Sequence, residues 1–210
     1  GDFLFSTCFS LVANYATMET ARLLARGVSH ICESEIAQSR RFDPATLSVR
    51  NYLHRIIGKT ALLFSLSLFV GAEELKAPRS LTTSLRRIGY SVGISFQIID
   101  DILDITGTEE STGKSTGGDL QAGIYTLPVI LAAQENRPLA LSLLTRENLS
   151  TPAGHKETQE FILSQGGVQK ARQYAALYTE RALQGVSYIP PSENREVLAD
   201  VIQKLLHRSY

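Results

Sequence analysis

The stretch "SLTTSLRRIGYSVGISFQIIDDILDI", residues 80–105, decides the fold of this chain. At about 100° per residue, the angle of an α-helix, its apolar side chains recur every three or four positions and form one stripe. The stripe consists of Leu85, Ile88, Val92, Phe96, Ile99 and Leu103. We therefore predict a long helix with one buried face, which Ser80 caps at its N-terminus and which ends near Ile105.

A second stripe of this helix is acidic, and it lies beside the apolar one. Its members are Gly93, Gln97, Asp100, Asp101 and Asp104. Like charges one turn apart destabilise a helix, and carboxylates are unfavourable near a helix C-terminus. No lysine or arginine occurs between Arg87 and Lys114 to offset them. The pattern favours Mg²⁺ that bridges to substrate phosphates, because carboxylate oxygens suit a hard cation. A solvated acidic patch is the alternative.

The rest of the chain is also predicted to be helical, because three-to-four spacing recurs throughout and alternating strand patterns are absent. The predicted helices span residues 3–14, 16–41, 48–71, 80–105, 125–134, 157–185 and 191–208. Ser48 is the predicted N-cap of the third. Five glycines predict a mobile loop over 106–123, and 136–156 reads as polar turns around a short helix. We expect one all-α domain over 1–210.

Composition excludes several classes of protein. Hydrophobic residues make up 43% and charged residues 20%, as in soluble globular proteins. The formal net charge of +0 and the lack of a basic tract predict no nucleic-acid partner. Cys8 and Cys32 form no CxxC pair, which favours a reducing, cytoplasmic location over a disulfide framework or zinc site. The longest apolar run, 61–72, is too short to span a bilayer, so no transmembrane segment is predicted.

Two lysines are candidates for binding phosphate. Lys59 precedes the apolar run, where a charge is costly unless it faces a polar cavity or snorkels to solvent. Lys114 lies in the glycine-rich "TGKSTGGDLQAG", 112–123, whose backbone could close over a phosphate. The alternative for Lys114 is an ordinary surface lysine. Glu33 and Glu35 of "ICESEIAQ" read as a solvated helix face.

Six segments follow one another in a specific order: "GDFLF" (1–5), "CESEIAQ" (32–38), "GKTALLFSLS" (58–67), "FQIIDDILDITGTEE" (96–110), "TGKSTGGDL" (112–120) and "TLPVILA" (126–132). In this order and spacing they resemble the trans-isoprenyl diphosphate synthases, over essentially the whole chain. Within that family the sequence looks most like the large catalytic component, component II, of bacterial heptaprenyl and hexaprenyl diphosphate synthases.

The resemblance implies an isoprenoid synthase-type helical bundle with a central cavity. It implies a Mg²⁺-dependent prenyltransferase that condenses isopentenyl diphosphate with an allylic diphosphate, farnesyl or geranyl. The product would be a medium- or long-chain all-trans polyprenyl diphosphate for menaquinone side chains. The family also implies a homodimer, or a heterodimer with a small regulatory subunit.

The resemblance also assigns roles to individual residues. The metal ligands it implies are Asp100, Asp101 and Asp104, with Asp101 acting less directly. The residues that it implies for substrate binding are Lys59, Thr60, Gln97 and Lys114. Lys59, Asp100 and Asp101 are the implied catalytic residues.

Two departures from the family pattern affect these expectations. The family's first aspartate motif lies upstream of "GDFLF", so we expect that the N-terminal part of the fold is missing and that this chain alone is inactive. Ile124 stands where some relatives carry a lysine. The alternatives are a regulatory subunit without catalysis and, since no asparagine-serine-glutamate metal motif occurs, less favourably a terpene cyclase.

Overall fold

The computed structural model describes residues 1–37, 42–44, 47–107 and 117–206. Within these ranges the chain is helical and forms no strand, so the all-α prediction is confirmed. The helices are α1 (Asp2–Tyr15), α2 (Met18–Ala37), α3 (Val49–Ile56), a π-helical turn (Ile57–Ala61), α4 (Leu62–Glu74), α5 (Arg79–Thr106), α6 (Gly118–Gln121), α7 (Leu127–Glu135), α8 (Arg137–Leu143), α9 (Arg146–Leu149), α10 (Pro152–Ser164), α11 (Gly167–Ser187) and α12 (Glu193–Leu206).

Helix α5 is the centre of the bundle and is buried on more than one face. Of the predicted stripe, Ile88, Val92 and Ile99 are buried. A second apolar row, which the sequence analysis missed, is also buried: Ile94, Ile98, Ile102 and Ile105. The reason is that α5 packs between two long helices, α4 and α11. The predicted apolar stripe is therefore only one part of the buried surface of α5.

Glycines bring α4 and α5 into backbone contact. A Cβ added to Gly89 would lie 2.4 Å from the Phe64 carbonyl oxygen, and one added to Gly93 would lie 2.5 Å from the Ala61 Cα. Ser65 Oγ on α4 donates to the Arg86 carbonyl at 3.0 Å, across the same contact. The two backbones are therefore held at a fixed distance and register, which matters because both carry site residues.

Several predicted boundaries need correction. Ser48 stands at the N-cap of α3, but its side chain makes no capping hydrogen bond. Ser80 lies inside α5, whose N-cap is Pro78; the preset φ of proline suits the entry to a helix. The helix predicted over 157–185 is two helices, because Gly166 takes a left-handed φ of 71°. The polar turns expected over 136–156 contain α8, α9 and the start of α10.

Some predicted segments cannot be compared in this way. Residues 38–41 of the second predicted helix, residues 207–208 of the last one, and residues 108–116 of the predicted loop over 106–123 lie outside the described residues. Within the described part of that loop, Gly118–Gln121 form the short helix α6.

One continuous helical segment, Val49–Glu74, is long and apolar enough to cross a membrane, with a mean hydropathy of 1.5 over its most apolar window. This is weak evidence for a membrane span, because core helices of soluble proteins pass the same test. In this bundle the segment packs along α5 and α2.

We predict opposite effects for alanine at two glycines of this packed pair. Gly89→Ala should lower the free energy of unfolding by about 1–3 kcal/mol, because the new methyl group meets backbone atoms that cannot move aside. Gly71→Ala should raise it by up to about 1 kcal/mol, because its Cβ meets nothing within 4 Å and alanine is the better helix former. Urea unfolding followed by circular dichroism measures both, and equal stabilisation by the two substitutions would contradict the close backbone contact.

Candidate active site

A π-helical turn interrupts the long α3–α4 helix where the first candidate residues occur. Ile57–Ala61 contains both Lys59 and Thr60. Turns of this kind are rare and are frequent at functional sites. A Cβ on Gly58 would lie 1.8 Å from Ser34 Oγ, so the turn sits directly against α2.

A chain of hydrogen bonds links this turn to α5 and then to α3. Thr60 Oγ1 donates to Gln97 Oε1 at 2.7 Å. Gln97 Nε2 donates to Asp101 Oδ1 at 2.8 Å, and the Tyr52 hydroxyl donates to Asp101 Oδ2 at 2.7 Å. Both carboxylate oxygens of Asp101 therefore accept a hydrogen bond inside the bundle. We call these four side chains the Tyr52–Thr60 chain.

Burial decides the protonation of this chain. Asp101 is 4% exposed. Loss of solvation raises the pKa of its carboxyl to about 7, although the hydrogen bonds from Gln97 and Tyr52 oppose that rise. Burial, together with the neighbouring Asp101, also raises the pKa of Tyr52 well above its ordinary value. Tyr52 therefore stays protonated and remains a donor.

Asp104 is fixed differently, by the backbone of the segment that begins α6. Gly118 N–H donates to Asp104 Oδ1 at 3.2 Å, and Asp119 N–H donates to Oδ2 at 3.3 Å. Burial raises the pKa of Asp104, and these backbone donors oppose the rise.

His155 on α10 supports this segment from the other side. Its Nε2 lies 3.3 Å from the Gly117 carbonyl oxygen. Gly117 has a φ of 75°, and a Cβ there would lie 2.3 Å from the His155 ring. The glycine is therefore required both by its backbone angle and by the close approach of the histidine.

The remaining charges gather at the same end of α5. Asp100 is exposed. Burial and the neighbouring Asp104 raise the pKa of Asp119, whereas Lys59 and Arg55 act to lower it. Lys59 Nζ also lies 3.2 Å from Glu35 Oε1 of α2, with both side chains partly exposed. Acidic groups from α2 and α6 thus act on Lys59.

The three aspartates do not form a ready-made cage for a metal ion. Among the described residues no group of three histidine, cysteine or acidic side chains is placed to hold a metal ion. The oxygens of Asp101 are engaged with Gln97 and Tyr52, and those of Asp104 accept backbone N–H groups. This donor set fits Mg²⁺ that takes one or two carboxylates and completes its shell with water and phosphate oxygens.

The structure brings together most of the candidate residues predicted from the sequence. Thr60, Gln97 and Asp101 join in one hydrogen-bonded chain, and Asp104 follows Asp101 by one turn of α5. Glu33, predicted to be solvated, is exposed and pairs with His30. Glu35 is also exposed, but it faces Lys59. Lys114 lies outside the described residues.

Three residues of this region were not singled out as site residues from the sequence: Tyr52, Arg55 and Asp119. Tyr52 precedes Lys59 by seven residues, or two helical turns, and this spacing was the available signal. Asp119 belongs to "GGDL", inside a segment already recognised as part of the pattern. Arg55 lies over the Tyr52 ring at 5.5 Å and donates to the Tyr125 carbonyl at 2.7 Å, contacts that sequence spacing does not predict.

A cavity of about 600 Å³ opens beside the π-helical turn, between α2, α4 and α5. Its wall runs from Ile57 through Leu62 and Leu66 to Phe69, and it is therefore mainly apolar along α4. Arg86, Arg87 and Tyr90 of α5 line it further from the acidic end of that helix. The arrangement is a charged site with an apolar cavity next to it.

Solved structures show that the fold is shared with known polyprenyl synthases. Heptaprenyl diphosphate synthase from Staphylococcus aureus superposes with a TM-score of 0.92 at 29% identity, covering 100% of this chain and 66% of that one. Polyprenyl synthase from Caulobacter crescentus, solved with calcium and isoprenyl diphosphate, superposes with a TM-score of 0.91 at 31% identity, covering 100% and 65%.

The sequence comparisons identify the family. The polyprenyl synthetase family model matches residues 1–164, so the chain belongs to that family. Heptaprenyl diphosphate synthase component 2 from Geobacillus stearothermophilus is 34% identical, and the match covers 100% of this chain and 65% of that protein. The chain thus spans just under two thirds of the length of this relative. The family resemblance and the fold class predicted from the sequence are confirmed.

We predict that Asp101 makes stability depend on pH when divalent cations are absent. Its folded pKa of about 7 lies above the ordinary 3.8, so the folded state binds the proton more tightly. The resulting stability is fully present below the unfolded pKa and is lost as pH rises through the folded one. At about 1.4 kcal/mol per pKa unit, the free energy of unfolding should fall by roughly 4 kcal/mol over this pH range. Asp101→Asn should remove this slope in urea unfolding with EDTA, and an unchanged slope would show that Asp101 is already ionised at low pH.

Proposed function

We propose that residues 1–210 form, as one domain, the diphosphate-binding part of a trans-polyprenyl diphosphate synthase. The observation that carries the proposal is the 2.7 Å bond between Thr60 and Gln97, beside Lys59 and next to the acidic end of α5. It puts an amide, an ammonium group and carboxylates close together, and a cavity with an apolar wall along α4 begins at Ile57 of the same π-helical turn. A substrate with a diphosphate head and an isoprenoid tail has this division of polar and apolar parts.

Each group has a distinct proposed task. Lys59, Thr60 and Gln97 bind the diphosphate of the allylic primer, and Lys114 is the fourth proposed substrate-binding residue. Asp100 and Asp104 hold Mg²⁺, while Asp101 supports them from inside the bundle. Bound Mg²⁺ supplies the positive charge that neutralises the diphosphate as it departs. Lys59 stabilises the same developing negative charge from the protein side.

The proposed reaction lengthens the tail by one isoprene unit at a time. The allylic carbon–oxygen bond breaks and the diphosphate leaves with the bonding electrons. The double bond of isopentenyl diphosphate then forms the new carbon–carbon bond, and a proton is lost. The cavity from Ile57 to Phe69 receives the tail and excludes water from the cation. We propose a medium- or long-chain product that serves menaquinone synthesis.

An exposed apolar helix supports an oligomeric enzyme. No residue of α1 is buried, and Phe3, Phe5 and Phe9 are 79%, 53% and 62% exposed. Apolar surface of this extent is typical of protein interfaces. We propose that a second subunit covers α1, either another copy or a small regulatory partner. Cys8 and Cys32 are free and exposed, which supports the proposed location in the reducing cytoplasm.

The proposal predicts a defined product ladder. The complete gene product, given Mg²⁺, farnesyl diphosphate and labelled isopentenyl diphosphate, should yield polyprenyl diphosphates that end at one chain length. Geranyl diphosphate should act as an alternative primer. A protein that is inactive alone but active with a small subunit would support a two-component synthase. No product under either condition would favour a regulatory subunit, and a cyclic hydrocarbon would favour a terpene cyclase.

Removing one metal-binding carboxylate should abolish most of this activity. We predict that Asp100→Asn lowers kcat at least about a hundredfold and raises the Mg²⁺ concentration required, since charge neutralisation of the leaving group is the main catalytic effect. Asp200→Asn is the matched control, because Asp200 is an exposed aspartate of α12 whose ion pair is with Lys204 on the same helix. Equal Mg²⁺ dependence in wild type and Asp100→Asn would exclude the proposed role.

A further inference from the structure

Tyr52 is a buried residue whose hydroxyl group needs an explanation. Its side chain is 0% exposed, in the core that α3 and α5 share. A phenylalanine would fill the same volume without a polar atom. The hydroxyl makes a 2.7 Å hydrogen bond to Asp101 Oδ2, and Asp101 leads through Gln97 to Thr60. The polar atom of Tyr52 is thus the inner end of a chain that reaches the proposed diphosphate site.

The chain has a fixed direction because of the groups at its centre. Both oxygens of Asp101 accept hydrogen bonds, and Gln97 turns its N–H₂ group toward Oδ1 at 2.8 Å. The amide oxygen of Gln97 then faces Thr60, whose hydroxyl has one proton and donates it to that oxygen. Asp101 therefore sets both the orientation of the Gln97 amide and the direction of the Thr60 hydroxyl.

Tyr52 holds the carboxylate that gives this direction. Its hydroxyl occupies Oδ2, which leaves Oδ1 facing Gln97 along α5. Without the hydroxyl, Oδ2 would be a buried acceptor with one partner fewer. The carboxyl group would then rotate away from Gln97, and the amide would lose the partner that holds its N–H₂ group in place.

We propose that Tyr52 is a positioning residue of the diphosphate site: through Asp101 and Gln97 it fixes the amide of Gln97 and the hydroxyl of Thr60 for the allylic diphosphate. The inference rests on the function proposed above. Tyr52 contacts neither substrate nor metal ion in this role. It holds the Gln97 amide in the orientation that leaves its second N–H for the incoming diphosphate, and its removal should therefore weaken primer binding.

The test is the complete gene product with Tyr52→Phe. The KM for the allylic primer should rise about tenfold, the factor that corresponds to one weakened hydrogen bond of about 1.4 kcal/mol. The KM for isopentenyl diphosphate and the Mg²⁺ concentration required should stay unchanged. Calorimetric binding of inorganic diphosphate should weaken by a similar factor, and this readout does not depend on turnover.

Tyr125→Phe is the matched control. Tyr125 is also buried, at 1% exposure, and its hydroxyl also donates a single 2.7 Å bond, but to the Leu144 carbonyl away from the Tyr52–Thr60 chain. The Tyr125→Phe variant should have a lower melting temperature and an unchanged KM for the allylic primer. If both phenylalanine variants change the KM equally, the effect of Tyr52 is only structural and the inference fails.

A double-mutant cycle tests the route through the chain. Gln97→Leu should itself raise the primer KM, and adding Tyr52→Phe should change it no further, because Tyr52 reaches the diphosphate site only through Asp101 and Gln97. If the two substitutions raise the primer KM by factors that multiply in the double variant, they act independently and the inference is overturned. If Tyr52→Phe does not fold, Asp101→Asn replaces it, with the same expected loss of primer affinity and the same cycle. An inactive wild type would count against the proposed function, whereas an active wild type with an unaffected Tyr52→Phe would count against this inference alone.

Discussion

The site depends on one buried carboxylate, that of Asp101. An acidic group taken out of water is costly unless its oxygens are hydrogen-bonded, and here Tyr52 and Gln97 provide those bonds. These two donors come from different helices, α3 and α5. The need to hydrogen-bond both Asp101 oxygens therefore fixes the register of α3 against α5 at the level of the π-helical turn. Arg55, stacked over Tyr52 at 5.5 Å, adds a positive charge to the same neighbourhood.

The glycines of α5 make this register precise. Gly89 and Gly93 allow the backbones of α4 and α5 to touch, so that neither helix can slide without a clash. Thr60 and Gln97 lie just beyond that contact and meet at 2.7 Å. A hydrogen bond of that length between two flexible side chains needs backbones that do not move. Close helix packing in the core thus determines the geometry of the polar groups at its end.

The sequence predicted the chemistry of α5 better than its surroundings. Spacing alone placed three aspartates on one side, but it treated them as equivalent. In the bundle Asp100 is exposed, Asp101 is buried and Asp104 accepts backbone donors from α6. Rotation by about 100° per residue separates the first two. The surroundings of each aspartate depend on α3 and α6, which are distant from α5 in sequence. Periodicity within α5 therefore could not predict which aspartate is buried and which is exposed.

The errors at helix ends have a local cause. Ser80 was chosen as a cap because its hydroxyl could accept a backbone N–H, yet Pro78 already starts α5 two residues earlier. The break at Gly166 was missed because the apolar spacing continues from α10 into α11 across a single left-handed residue. Periodicity reports which faces are buried, whereas a single backbone angle decides where a helix ends.

Electrostatics explains why this end of α5 is suited to cationic and phosphate-bearing ligands together. Asp100, Asp104 and Asp119 act on one another, and burial and mutual repulsion raise the pKa of Asp119. Lys59 and Arg55 oppose that rise, but Lys59 also faces Glu35. Added positive charge relieves the repulsion among the carboxylates, while a diphosphate without a cation would increase it. In the function proposed above, a diphosphate would therefore bind only when cations accompany it, and the binding of the two would be cooperative.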